Sequence, residues 1–136
     1  MQVWKRVTEF LITRALRLGA DCAITYLTGA GSAVTQLTNR TTGVTINKNA
    51  GKITTNNASL AAEAAAAFVV TNDKVSLGDI ILISQQSGAV GVLTTVEVVA
   101  VANGSFTLSV MNGNVAAGTA ETGAIIINFI VFNLAP

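Results

Sequence analysis

The chain reads as an all-β protein: a β-sandwich or jelly roll of about eight strands, preceded by an N-terminal helix or extended arm. Three observations predict this. Two β-branched runs within residues 92–110 flank Asn103-Gly104, the strongest short-range hairpin signal in the chain. Short apolar segments recur at regular spacing with polar turns between them. Beyond the first twenty residues no segment combines helical periodicity with helical length.

Around Asn103-Gly104 a two-residue type I′ turn is expected, since Asn and Gly tolerate positive φ. It pairs Ala102 with Ser105, Val101 with Phe106 and Val99 with Leu108, leaving Ala100–Thr107 and Val98–Ser109 on the other face. Strands are also expected at 33–38, 42–47, 52–55, 65–71, 79–84 and 124–133, the last buried on both sides or at an interface. Residues 42–47 and 52–55 read as a second hairpin about Lys48-Asn49-Ala50-Gly51. Residues 60–67 are alanine-rich and helical by propensity alone. The segment is short and runs into Phe68-Val69-Val70-Thr71, so a loop or brief turn leading into a strand is the reading.

Residues 1–20 differ from the rest. Val3, Trp4, Val7, Phe10, Leu11 and Leu18 recur near helical spacing, with Lys5, Arg6, Glu9, Arg14 and Arg17 largely opposite. An amphipathic helix is the first reading and an extended arm the second. Gly29-Ala30-Gly31 is a linker, which divides the chain into an arm at 1–30 and a β-domain at 31–136.

Composition narrows the function. Hydrophobic residues are 51% of the 136, enough for a core, while charged residues are 11% against about 25% in typical soluble domains. So few charges on a small domain point to surface laid against other protein, with a Thr/Ser/Asn-rich β surface that is polar without charge as the alternative. Net charge is +1, but unevenly spread: residues 1–20 hold four cations against one acid, the remainder four cations against six acids. Neither nucleic acid nor a membrane is an expected partner; clustered cations beside exposed aromatics are missing, as is any apolar run long enough to span.

No chemistry is visible. The chain has no histidine, which removes the usual general base and the commonest metal ligand. The lone cysteine, Cys22, can form neither an intrachain disulfide nor a structural zinc site and reads as a small apolar residue. The acids are scattered; Asp79 and Glu97 read as solvated surface carboxylates. No enzyme activity and no cofactor are expected.

The run Gly31-Ser32-Ala33-Val34-Thr35-Gln36-Leu37-Thr38-Asn39-Arg40-Thr41-Thr42-Gly43-Val44-Thr45-Ile46-Asn47-Lys48 resembles a stretch common in small virion proteins of tailed bacteriophages. The resemblance continues at Gly51-Lys52-Ile53-Thr54, Phe68-Val69-Val70-Thr71-Asn72, Gly104-Ser105-Phe106-Thr107 and Ala124-Ile125-Ile126-Ile127-Asn128-Phe129. It implies a capsid decoration (cement) protein. Such a protein is made in the host cytoplasm and sits as a homotrimer on the outer capsid surface, across major capsid protein subunits. A head or tail fibre module that recognises a host glycan is the alternative. Residues 1–30 lie outside the resemblance. The candidate contact residues are Trp4, Val7, Phe10, Leu11, Arg14 and Arg17 in the arm, and Ile125, Ile127, Phe129 and Phe132 in the last strand. For Phe129 and Phe132, packing in the subunit's own core is the competing reading.

Overall fold

The structure, a computed structural model, describes residues 29–115 and 118–134. The expected helix or arm at the N-terminus lies outside them. Eight strands form: β1 (Gly31–Thr35), β2 (Val44–Thr45), β3 (Ala50–Thr54), β4 (Ala65–Thr71), β5 (Ile80–Ser87), β6 (Thr94–Ala102), β7 (Ser105–Asn112) and β8 (Ile126–Phe132). They make two four-stranded sheets, ordered β1-β3-β8-β5 and β2-β4-β7-β6. Within each sheet one pair is parallel, β1 with β3 and β2 with β4, and the others are antiparallel. The result is a mixed β-sandwich and not the all-antiparallel jelly roll.

Alternation builds the core. Ala66, Phe68 and Val70 of β4 point inward, as do Phe106, Leu108 and Val110 of β7. They meet Ile53 of β3, Ile81 of β5, and Ile127, Phe129 and Val131 of β8 from the first sheet. The rings of Phe106 and Phe129 cross the sandwich with centroids 5.4 Å apart and planes tilted by 55°, a favourable edge-biased aromatic contact. The alanine-rich stretch is not helical: Ala64 N–H donates to the Ala61 carbonyl in a single turn, and β4 begins at Ala65.

Three expectations are corrected. First, 42–47 and 52–55 are not a hairpin. β2 lies beside β4 in the second sheet and β3 beside β8 in the first, so Lys48 and Asn49 carry the chain across the core. Val44 and Ile46 face inward from one layer and Ile53 from the other, and a hairpin would have placed all three in one sheet. Second, the β6–β7 register holds at Ala102↔Ser105, Val101↔Phe106 and Ala100↔Thr107 and then slips at a bulge, giving Val98↔Leu108 and Glu97↔Ser109. The bulge expels Val99 and lets Val96, Val98 and Val101 all pack on the core. Third, only Gly104 takes positive φ (78°), so the turn has the sign pattern of type II. Tertiary bonds select it: Leu77 N–H donates to Asn103 Oδ1 at 2.8 Å, and Gly104 exchanges backbone bonds with Asn72 and Val75.

Every connection except the β6–β7 hairpin passes from one sheet to the other. One end of the sandwich therefore gathers the β1–β2, β3–β4, β5–β6 and β7–β8 connections. The other gathers the remaining three and both ends of the described chain.

Gly51 marks where the crossing chain comes closest to the core. A Cβ there would lie 2.6 Å from Ile46 Cδ1 and 2.7 Å from the Phe129 ring. Gly51→Ala is expected to cost about 1–3 kcal/mol through overpacking. Gly31→Ala, whose Cβ would meet only the Ala50 carbonyl at 3.6 Å, should stay within about 0.5 kcal/mol of the parent. Urea denaturation midpoints of the two variants check this.

Candidate functional site

The end of the sandwich that gathers four connections is held by two buried charges. Glu121, 0% exposed, lies in the β7–β8 connection and forms an antiparallel bridge with Leu60 of the β3–β4 connection. Its carboxylate accepts the N–H of Val90 on both oxygens (3.0 and 3.1 Å), of Gly91 (2.9 Å) and of Gly123 (2.6 Å), and the Thr94 hydroxyl. Burial pushes the carboxyl pKa up, but these donors together outweigh it and hold it at about 2. The loop comes this close because Gly88 and Gly123 lack side chains. A Cβ on Gly123 would lie 1.8 Å from the Gly88 carbonyl oxygen, and one on Gly88, at φ 88°, would lie 2.0 Å from that of Ala124.

Arg40, 3% exposed, reaches from the β1–β2 connection. Its Nη2 donates to the carbonyls of Glu121 (3.1 Å) and Gly123 (2.9 Å), its Nε to Ala58 (2.5 Å) and its Nη1 to Thr55 Oγ1 (3.4 Å). Burial lowers its pKa and the Glu121 charge opposes that. Asn112 completes the set, donating to the carbonyls of Leu60 (3.0 Å) and Thr119 (2.8 Å). All four connections are thus cross-tied by side chains that the sequence scatters over more than eighty positions.

The Glu121 carboxylate is enclosed and filled with donors, and the Arg40 guanidinium spends its N–H groups on three carbonyls and the Thr55 hydroxyl. Among the described residues no group of His, Cys, Asp or Glu could hold a metal, and no buried side-chain polar atom lacks a partner. No helix among them is long and apolar enough to cross a membrane.

What the cluster does is present apolar side chains outward. Val90, Val92 (92% exposed) and Leu93 project from the β5–β6 connection, and Val115 (75% exposed) from the β7–β8 connection. Between the two loops lies an open depression lined by Val90, Gly91, Val92, Asn114, Thr119 and Ala120. Gly113 N–H donates to the Leu93 carbonyl at 3.0 Å and fixes the loops side by side. The sequence reading assigned Val92 and Leu93 to a strand and missed this surface. The available signal was Gly88-Ala89-Val90-Gly91-Val92-Leu93, apolar residues in a glycine-spaced segment where a polar turn is the norm.

The sequence-derived contact residues fall in three places. Trp4, Val7, Phe10, Leu11, Arg14 and Arg17 lie outside the described residues. Ile125, Ile127 and Phe129 are 0–2% exposed and belong to the domain's own core, because alternate positions of β8 face the second sheet. Phe132 is on the opposite face of β8 and exposed. The last strand is therefore buried on one side only. Asp79 is likewise not a solvated carboxylate. It accepts the N–H of Ser76 (2.8 Å) and of Leu134 (3.0 Å) and the Asn133 amide (2.7 Å), which hold its pKa down and fasten the chain beyond β8.

Glu121→Gln tests the loop-end cluster. An amide in that socket turns an N–H toward backbone donors, and the expected loss is at least about 2 kcal/mol. The folded carboxyl titrates near 2 against an ordinary 4.5, so the unfolded chain binds this proton more readily. Stability from the carboxylate is complete above the ordinary value and drains away as pH falls toward the folded value. The parent should lose stability between about pH 5 and 2, and the variant should lose less over that window, as denaturant titrations at stepped pH will read.

Compared with known proteins, the chain matches no protein-family model, no curated protein and no solved structure.

Proposed function

We propose that the protein is a structural virion component, a capsid decoration protein that binds the outer surface of a phage head and stabilises the shell. The observation that carries this reading is the apolar loop end: Val90, Val92, Leu93 and Val115 held outward over a fully bonded polar cluster, with no candidate metal-binding group among the described residues. A surface of this kind works by area covered. The β5–β6 loop is pinned before binding by the Val90 and Gly91 N–H bonds to Glu121, so little conformational entropy is lost there on contact. The similarity of residues 31–129 to phage virion proteins supplies the partner class, the major capsid protein, and the homotrimeric state.

Magnitudes favour many copies over one strong contact. Burying a Val or Leu side chain is worth about 1.5–3 kcal/mol, so four give roughly 6–12 kcal/mol gross. Association costs about 4–15 kcal/mol in lost freedom. A single contact is marginal, and a symmetric lattice of linked contacts is lasting.

Purified virions should contain the protein, and cryo-electron microscopy should place it on the outer head lattice. Val92→Asp should leave the fold intact by circular dichroism and empty those positions. Density at the tail tip would transfer the protein to the glycan-recognising fibre reading, and absence from virions would overturn both.

A further inference from the structure

Among the described strands, β1 and β5 flank the first sheet and β2 and β6 the second. Proteins blunt such edges by keeping them short, charging them or bulging them. β2 has two residues and β1 five. β6 has nine, but it carries Glu97 and slips its register between Val98 and Ala100. β5 lacks these devices over most of its length. Its sequence, IILISQQS, holds no charge and no proline, and its irregularity falls near the end, between Gln85 and Ser87.

The direction of its free bonding groups follows from β8. Val131 N–H donates to the Asn49 carbonyl, and Thr55 N–H to the Ile125 carbonyl, so odd-numbered positions of β8 bond toward β3. Even-numbered positions bond toward β5, where Phe132, Ile130 and Asn128 pair with Ile80, Leu82 and Ser84. The N–H and C=O groups of Ile81 and Ile83 therefore point away from the sheet, and no described residue bonds them. The edge is apolar on both faces. Ile81 and Ile83 turn toward the core, while Ile80 and Leu82 stand half exposed on the outward face, beside Phe132 and Ile130.

We propose that a second copy of this chain covers this edge, β5 pairing antiparallel with its counterpart about a two-fold axis at Leu82. Matching of side chains selects the register. Centred on Ile83, the pairing would set Leu82 against Ser84 and Ile81 against Gln85. Centred on Leu82, it sets leucine against leucine outside and Ile81 against Ile83 inside, the latter pairs doubly bonded through the free backbone groups. One outward row then runs Ile130, Leu82, Leu82, Ile130 across the junction. No charged side chain lies in β5, so like charges do not meet. The area suffices. A flank as long as eight-residue β5 and two sheet layers deep measures about 27 Å by about 20 Å. Two such flanks bury roughly 1,100 Å² together, against the ~1,000 Å² that a specific contact requires.

A two-fold contact doubles the particle. Alone it gives a dimer, and combined with the three-fold association proposed above it gives a hexamer of two trimers. Light scattering of the full chain should therefore find an even number of protomers. Leu82→Lys sets two cations face to face on the axis, and Leu82→Glu two anions. Each should halve the mass while circular dichroism stays that of the folded domain. Mixing the two variants should restore the parental mass, because cation then meets anion. Val69→Lys, on the outward face of the second sheet, should leave the mass unchanged. Deuterium exchange on a peptide spanning 80–86 should be severalfold slower in the parent than in either Leu82 variant, since Ile81 and Ile83 N–H gain partners only in the pair. A parent with an odd number of protomers, a mass indifferent to both Leu82 variants, or a mixture that stays halved overturns the proposal. None of these outcomes depends on the capsid reading, which virion microscopy tests separately.

Discussion

The desolvated Glu121 carboxylate constrains more of this structure than any other group. A charge with no exposure to water must be met by donors, and here they come from two loops and from Thr94 at the start of β6. The carboxylate therefore dictates where residues 90–94 and 123 lie, and Arg40 then dictates where 55, 58 and 121–123 lie. Loops that a sandwich of this size would ordinarily leave mobile are tied to one another through polar bonds inside the protein. The energetic benefit over an apolar plug is small or absent by general experience with buried charges. The gain is geometric, a single arrangement of four connections.

That geometry explains why the apolar side chains above the cluster can stay outside the core. Free loops rich in valine and leucine would fold back onto the nearest apolar surface. These are held away from it by the bonds of Val90 and Gly91 N–H to Glu121 and of Gly113 N–H to the Leu93 carbonyl. The opposite end of the sandwich uses asparagine for the same purpose. Asn103 fastens the hairpin tip to Leu77, the Asn72 side chain ties Lys48 to Lys74, and Asp79 with Asn133 fastens the chain beyond β8.

The strands were legible in the sequence because inward positions alternate, as in Ala66, Phe68 and Val70 or Ile127, Phe129 and Val131. Position 65–71 was readable residue for residue. Pairing was not legible. Lys48-Asn49-Ala50-Gly51 has the chemistry of a hairpin turn whether the next strand pairs beside the last or crosses to the other layer, and only the side on which Ile46 and Ile53 are needed decides. The bulge at Val98–Ala100 was hidden because Val96, Val98, Val99 and Val101 are equivalent in propensity. The candidate site was the least legible part. Arg40 and Glu121 lie 81 positions apart, and nothing local distinguishes them from solvated charges.

The position of β8 bears on how the protein is made. It is the last of the described strands, yet it lies between β3 and β5 in the interior of its sheet. Until β8 has emerged from the ribosome, that sheet is two separated pieces with open hydrogen-bonding edges. Assembly of the sheet must await β8, and in the interval the nascent polypeptide is exposed to strand exchange with its siblings on the same polysome.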